Sequence, residues 1–145
     1  MKIAIGCDHA GPALKEELAE HLRELGHEVV DLGVQEGEKC DYPDKAKEVC
    51  EKVTSGECEL AVLVCGTGIG MSISANKIKG IRAACCSDYF SAKFTRAHND
   101  ANVLCIGARV VGAGLAAELV DVFIETPFEG GRHQRRVEKI TALEE

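Results

Sequence analysis

The chain has 145 residues and a formal net charge of −7, and 46% of its residues are hydrophobic. A chain of this length usually folds around one core, so we expect a single domain over residues 1–145. The acidic balance argues against binding to nucleic acid or to an anionic membrane surface. The first residues lack a signal-peptide pattern and no apolar run is long enough to span a bilayer, which predicts a soluble, cytoplasmic protein.

Strand-like and helix-like segments alternate along the chain. The predicted strand–helix pairs are 2–6 with 13–25, 28–32 with 44–53, 60–65 with 71–77, 81–86 with 89–97, and 103–106 with 112–124. A last helix is predicted over 132–143. Five such pairs predict an α/β fold, a Rossmann-like three-layer sandwich in which helices cover both faces of a five-stranded parallel sheet.

Ligands of open parallel sheets bind beyond the carboxyl ends of the strands. The segments directly after the predicted strands carry the chemically active side chains of this chain. These segments are 7–11, 65–70, 87–88 and 107–109. We therefore expect a thiol, a carboxylate, an imidazole, a glycine-rich loop and an arginine to meet at one edge of the sheet.

The glycine-rich loop follows the apolar run 60–65, which ends in Cys65, and has glycine at positions 66, 68 and 70. At a strand-to-helix junction such a loop exposes backbone N–H groups and can hold an oxyanion or a phosphate. Its spacing matches neither the dinucleotide fingerprint nor the phosphate loop, and Met71 stands where a Cys-x5-Arg phosphatase loop needs arginine. A tight turn whose glycines serve only helix–sheet packing is the structural alternative.

The chain has eight cysteines, with no Cys-x-x-Cys pair and no zinc-ligand spacing. Cys7, Cys85, Cys86 and Cys105 lie in apolar strand-like runs, where cysteine behaves as a small hydrophobic residue. Only Cys65 has a context that would activate it, because a helix N-terminus stabilises a thiolate. A thiolate beside preorganised N–H donors can remove a proton next to a carbonyl, which is the central step of aldose–ketose isomerisation.

Acidic, basic and imidazole side chains elsewhere extend this hypothesis. Asp8 either caps the first helix or contacts a ligand, and His98 in a predicted polar loop is either an acid–base group or a solvated residue. Arg132 and Arg136 are four residues apart, so on a helix they share one face. Two guanidinium groups there suit a phosphate dianion, with Arg109 as a third, although a solvated charged face is the alternative. A small phosphorylated substrate is the hypothesis that unites these residues.

The chain resembles the ribose-5-phosphate isomerase B family, within a wider group that includes galactose-6-phosphate isomerase subunits. The resemblance runs in order over nearly the whole chain. Its motifs are Gly6-Cys-Asp-His-Ala-Gly11, Asp41-Tyr-Pro43, Cys65-Gly-Thr-Gly-Ile-Gly70, Asn76-Lys77, Gly80-Ile-Arg-Ala83, His98-Asn-Asp100, Asn102-Val103, Gly107-Ala-Arg109 and Glu129-Gly-Gly-Arg-His-Gln-Arg-Arg136.

The resemblance implies that Cys65 moves a proton between C2 and C1 of the sugar while Thr67 and the loop amides hold the enediolate. It implies that His98 opens the furanose ring with Asp8 nearby, without a metal or an organic cofactor. Family members are homodimers, sometimes paired into tetramers, in which each site takes His98 and Asn99 from the neighbouring chain. The positions implied to contact the substrate are Asp8, His9, Gly66, Thr67, Gly68, Ile69, Gly70, Asn99, Arg109, Arg132 and Arg136.

Three alternatives stay open at this point. The substrate could be a six-carbon sugar phosphate such as allose 6-phosphate or galactose 6-phosphate, since one more carbon changes the pocket only slightly. The chain could be a non-catalytic module that binds a sugar phosphate with the same arginines. Cys65 could instead serve as a redox switch, although no resolving cysteine is evident in the sequence.

Overall fold

Strands and helices alternate as expected in the computed structural model, which describes residues 1–144; Glu145, the last residue of the expected domain, lies outside the described residues. The strands are β1 (Lys2–Cys7), β2 (Glu28–Asp31), β3 (Leu60–Cys65), β4 (Ala83–Cys85) and β5 (Val103–Gly107). The helices are α1 (Pro12–Glu24), α2 (Tyr42–Thr54), α3 (Ile69–Ala75), α4 (Tyr89–Asn99), α5 (Ala113–Glu125) and α6 (Arg132–Thr141), and a 3-10 turn over Ala142–Glu144 follows.

The five strands form one parallel sheet in the order β2-β1-β3-β5-β4. The predicted α/β class and five-stranded parallel sheet are therefore confirmed. Successive connections run in both directions along the sheet, and right-handed crossovers then place helices on both faces. Helices α1, α4 and α5 pack on one face and α2 and α3 on the other, which gives the three layers.

The strands read as continuous apolar runs because both of their faces are buried. In β3, Val62 and Val64 point into the core under α1 and α5, whereas Leu63 and Cys65 point into the core under α2 and α3. The site cysteine thus ends a fully buried strand. Among the described residues, none of the helices combines the length and the apolar character that a membrane crossing requires.

Two predicted helix boundaries were wrong at places that matter for the site. Helix α3 begins at Ile69 rather than at residue 71, and α4 ends at Asn99 rather than at residue 97. His98 and Asn99 therefore lie on the last turn of a helix and not in a loop. Asp100 ends the helix in a left-handed conformation with φ of 49°, and its carboxylate pairs with Arg96 at 3.0 Å.

Candidate active site

The carboxyl edge of the sheet carries the first group of predicted site residues. Strand β2 pairs with one side of β1, and β3 pairs with the other side. The connections after β1 and β3 therefore run in opposite directions, and a crevice opens beyond the carboxyl ends of β1 and β3. Asp8 directly follows β1, and its N–H donates to the carbonyl oxygen of Val64 at 3.1 Å. This bond holds Asp8 beside the end of β3, where Cys65 begins the glycine-rich loop.

The thiol of Cys65 is held against the backbone of its own loop. The N–H of Gly68 donates to Sγ of Cys65 at 3.1 Å, and the cysteine is only 5% exposed. Gly68 has φ of 83°, and a Cβ there would lie 3.0 Å from Sγ of Cys85 and from the carbonyl carbon of Ile106. An N–H directed at sulfur stabilises negative charge that develops on it.

The rest of the loop is fixed by close packing from its neighbours. Gly107 at the end of β5 lies against Thr67, and a Cβ on Gly107 would come within 2.6 Å of the Thr67 backbone. The ring of Tyr42, at the start of α2, packs directly on Gly70. Thr67 itself is exposed, and its Oγ1 accepts the N–H of Ile69 at 3.2 Å. The loop is therefore rigid where it meets the sheet and presents the threonine hydroxyl outward.

Asp8, His9 and Arg109 lie at the same edge of the sheet as this loop, directly after β1 and β5. Asp8 is 6% exposed, and its carboxylate accepts the N–H of Ala10 at 2.9 Å. It does not cap α1, whose N-cap is Gly11, so the helix-capping interpretation of Asp8 was wrong. His9 and Arg109 are exposed, and the N–H of Arg109 donates to the carbonyl oxygen of Gly66 at 3.0 Å.

The second group of predicted site residues lies at the opposite, amino edge of the sheet. Helix α4 runs back from the end of β4 and is about 15 Å long. Near its end, the carbonyl oxygen of Asn99 accepts a hydrogen bond from Nε of Arg82, the residue that directly precedes β4, at 3.1 Å. His98 and Cys65 of one protomer are therefore on opposite edges of the sheet.

Arg132 and Arg136 accompany His98 at the amino edge. The N–H of Glu129 donates to the carbonyl oxygen of Ala97 at 3.0 Å, which fixes the start of α6 beside the end of α4. Both arginines are exposed and lie on the first turns of α6. One protomer thus presents a thiol, a carboxylate and Arg109 at one edge, and an imidazole and two arginines at the other.

His133 and Glu129 stand within the second group, and sequence reasoning gave neither of them a role. The rings of His98 and His133 stack with centroids 4.0 Å apart and planes 10° from parallel. Burial lowers the pKa of His133 below its ordinary value, and the neighbouring His98 and Arg132 lower it further. The four-residue spacing of Glu129 and His133 is the only sequence signal for their contact. The stacking of His98 on His133 has no such signal, because it joins helices that are far apart in sequence.

Three of the four other cysteines in the predicted strand-like runs are buried, namely Cys7, Cys86 and Cys105. Burial raises the pKa of Cys7 and of Cys86 to about 11 and raises that of Cys105 well above its ordinary value. Cys85, although it stands in the same kind of apolar run, is exposed. The cause is its place at the end of β4, a three-residue strand on the edge of the sheet.

A doubly wound parallel sheet, with a cysteine-bearing glycine loop in the crevice at its carboxyl edge, defines an α/β protein suited to a small anionic ligand. The family model described as Ribose/Galactose Isomerase matches residues 3–140. The chain belongs to the ribose/galactose isomerase family.

Individual relatives cover nearly the whole chain. Ribose-5-phosphate isomerase B of Escherichia coli (strain K12) is 53% identical over 144 residues, which are 99% of this chain and 97% of that protein. The galactose-6-phosphate isomerase subunit LacB of Clostridium acetobutylicum is 42% identical, over 96% of this chain and 80% of its own length. The structure of Clostridium thermocellum ribose-5-phosphate isomerase B superposes with a TM-score of 0.97 at 51% identity, covering 99% of this chain and 97% of the other.

Proposed function

We propose that the protein interconverts ribose 5-phosphate and ribulose 5-phosphate through an enediolate. The observation that carries the proposal is the Cys65 thiol, held by a loop N–H at the carboxyl edge of the sheet beside a buried carboxylate. The 53% identity to ribose-5-phosphate isomerase B of E. coli supports the same reaction. We assign the activity to one domain over residues 1–145.

The thiolate of Cys65 removes the proton from C2 of the open-chain aldose and returns it to C1, while the proton of the C2 hydroxyl passes to the C1 oxygen, so the sulfur is unchanged after each turnover. Negative charge that develops on the sugar oxygen is stabilised by the amides of the 66–70 loop and by the hydroxyl of Thr67. His98 opens the furanose ring by proton transfer, and Asp8 lies near it in the same site. The reaction transfers only protons, so it requires no metal and no organic cofactor.

The substrate phosphate is bound by arginine side chains, which form paired hydrogen bonds with phosphate oxygens. Arg109 lies beside the thiol loop and supplies one guanidinium group. Arg132 and Arg136 supply two more from the first turns of α6, with Asn99 beside them and His9 lining the pocket at the other edge. In this proposal the phosphate is bound at the end of the sugar away from C1 and C2.

The site takes its complete form in a homodimer, because one chain presents its two groups of residues at opposite edges of the sheet. In our proposal each site takes Cys65 and Asp8 from one protomer and His98 and Asn99 from its partner. Exposed apolar side chains on α3 and α4 support such an interface, among them Phe90 at 70% exposure and Ile73 at 60%. The proposal extends to a pairing of two dimers into a tetramer, as the family resemblance implies, and to a cytoplasmic location.

The five-carbon substrate is favoured over a six-carbon one by the relatives. The chain is 53% identical to the E. coli ribose-5-phosphate isomerase B and 42% identical to the LacB subunit. The match also covers more of the E. coli protein, 97% of its length against 80% for LacB. Allose 6-phosphate and galactose 6-phosphate are the competing substrates to be measured.

The test is the isomerisation of ribose 5-phosphate by purified protein and by Cys65→Ala, with Cys58→Ala as the matched control. Cys58 is also buried and lies near the opposite end of β3. We expect kcat of Cys65→Ala to fall on the order of a thousandfold, because a general base contributes about 10²–10⁴. Sugar-phosphate binding should be retained.

Other outcomes separate the alternatives. Turnover that survives Cys65→Ala would remove the thiol from the mechanism. Tight sugar-phosphate binding without turnover of either sugar size would favour a binding module. Faster turnover of a six-carbon phosphate would replace the proposed substrate, and loss of activity only after oxidant treatment at Cys65 would add a redox role.

A further inference from the structure

Three side chains at the amino edge of the sheet form a compact set of possible metal ligands. His98, Glu129 and His133 place one ligand atom each within 4.8 Å of the others. Oε1 of Glu129 lies 3.7 Å from Nε2 of His98 and 3.7 Å from Nε2 of His133. We call this set the His–Glu–His cluster.

His133 provides an independent observation that points to a ligand. Its side chain is only 10% exposed, and its Nε2 is buried without a hydrogen-bond partner in the described residues. A buried polar atom without a partner is unfavourable, typically by about 1–3 kcal/mol. Because this atom lies 3.7 Å from Oε1 of Glu129, a cation held between them would satisfy it.

The donor set selects the kind of cation. Two imidazole nitrogens and one carboxylate oxygen suit Zn²⁺, whereas Mg²⁺ and Ca²⁺ prefer oxygen ligands throughout. Three protein ligands leave a fourth tetrahedral position for water. The positive charges of Arg132 and Arg136 oppose a cation here, and the carboxylate of Glu129 compensates one of the two.

The cluster can close around an ion if His98 turns out of its stack on His133, because an imidazole binds a metal in the plane of its ring and the two rings are now 10° from parallel. Bond lengths of about 2.0–2.1 Å place tetrahedral ligand atoms roughly 3.3 Å apart, so the widest pair must approach by about 1.5 Å. The side chain of His98 is 35% exposed and that of Glu129 is 53% exposed, so both have room to turn. The backbone is already in place, because Glu129 is hydrogen-bonded to Ala97, the neighbour of His98.

We propose that the His–Glu–His cluster binds Zn²⁺ and that the bound ion inhibits isomerisation by occupying Nε2 of His98. A histidine whose ring nitrogen coordinates a metal cannot exchange a proton with the sugar through that nitrogen. The inhibitory part rests on the proposed function of His98, whereas the metal site itself depends only on the three ligands.

The experiment uses the full chain after chelator treatment and titrates it with Co²⁺, which replaces Zn²⁺ and gives a visible absorption spectrum. Zn²⁺ inhibition of ribose 5-phosphate isomerisation is measured in parallel and reversed with chelator. The variants are His133→Gln and Glu129→Gln. The matched control is His21→Gln, since His21 is a partly exposed histidine of α1 that pairs with Asp121 at 2.7 Å.

We expect each ligand variant to weaken Co²⁺ binding and to raise the inhibitory Zn²⁺ concentration by at least about tenfold, with no change in His21→Gln. The proposal is overturned if both variants bind Co²⁺ as the parent does, or if the spectrum contains a thiolate-to-cobalt charge-transfer band, which would assign the ion to a cysteine. Because the Co²⁺ titration needs no substrate, it separates failure of the metal site from failure of the isomerase. Co²⁺ binding at the cluster without inhibition by Zn²⁺ would overturn the inhibitory role.

Discussion

The N–H of Gly68 donates a hydrogen bond to Sγ of Cys65 across 3.1 Å. The bond depends on the backbone of the glycine, whose φ of 83° lies in the left-handed region. A residue with a Cβ at position 68 would have to adopt that conformation while contacting Cys85 and Ile106. The geometry of the thiol therefore depends on the absence of a side chain three residues further on.

Gly68→Ala tests whether this geometry matters for turnover. The left-handed conformation alone costs about 1–2 kcal/mol in alanine, and the loop must also shift to relieve its contacts. We expect kcat to fall at least about tenfold, which corresponds to about 1.4 kcal/mol in the activation free energy. Kinetics with ribose 5-phosphate and urea unfolding are measured on the same preparation.

Gly26→Ala is the matched control, because Gly26 has φ of 91° and nothing within 4 Å of an added Cβ. It should lose about 1 kcal/mol of stability, less than Gly68→Ala because it has no contacts to relieve, and keep its turnover. If Gly68→Ala and Gly26→Ala lose the same stability and both keep full turnover, the loop geometry has no catalytic role.

Mixing two inactive variants tests the proposed shared site. If each site takes Cys65 from one chain and His98 from its partner, a heterodimer of Cys65→Ala and His98→Asn contains one site with both native side chains. Random exchange of subunits makes half of the dimers hybrid, so we expect about a quarter of the parent activity. The measurement is isomerase activity after unfolding and refolding the two variants together.

A second mixture supplies the control for this experiment. Asp8 and Cys65 belong to the same edge of the same chain, so Cys65→Ala mixed with Asp8→Asn gives no site with both native residues. This mixture should stay inactive. Equal recovery in both mixtures, or recovery in neither, would contradict a site divided between His98 and Cys65.

A buried lysine between α1 and β2 yields a prediction about stability. Lys15 is fully buried, and its Nζ lies 2.6 Å from Oε1 of Glu16 and 3.0 Å from Oδ2 of Asp31. Removing one partner of a buried ion pair leaves an incompletely compensated charge. We expect Asp31→Asn to lower the free energy of unfolding by about 2 kcal/mol, less than for a fully isolated charge because Glu16 remains. Urea denaturation at fixed protein concentration measures the change.

Two further variants provide the comparisons for the loss in the free energy of unfolding. Lys15→Met removes the charge and keeps an unbranched apolar chain, so it should cost less than Asp31→Asn. Glu28→Gln, which breaks the exposed pair with Lys2, should cost no more than about 0.5 kcal/mol. The prediction fails if Lys15→Met is the most damaging of the three.

The pH dependence of stability follows from the same lysine. Burial lowers the pKa of Lys15, but the hydrogen bonds to Glu16 and Asp31 outweigh it, so the pKa is raised overall. As the pH rises, the unfolded chain therefore releases this proton at a lower pH than the folded chain does. Its stabilising contribution is complete below the ordinary lysine pKa of about 10.4 and is lost as the pH rises through the folded value.

The layer architecture and the carboxyl-edge group were accessible from the sequence. Continuous apolar runs such as 60–65 identify buried parallel strands, and the rule for parallel sheets then brings Asp8, Cys65 and Arg109 to one edge. The end of α4 was not predicted correctly, because His98-Asn-Asp100 has the composition of a loop. There the ion pair of Arg96 with Asp100 extends the helix by one half turn.

The stacking of His98 on His133 was beyond sequence reasoning for a different reason. The sheet rule positions residues at strand ends, but it says nothing about a helix that follows the last strand–helix pair. The position of α6 depends on the turn through Gly130 and Gly131, both with positive φ, and on the bond from Glu129 to Ala97. Such tertiary contacts have no periodic signature in the chain.

The placement of the thiol and the imidazole at opposite edges also links turnover to concentration. In the proposed assembly, the thiol of a lone protomer has no ring-opening acid within reach. Dissociation on dilution should then reduce the activity per protomer while the helical circular dichroism signal persists, and the loss should reverse on concentration. The amount of this protein in a cell would thereby set not only how many sites exist but also what fraction of them is complete.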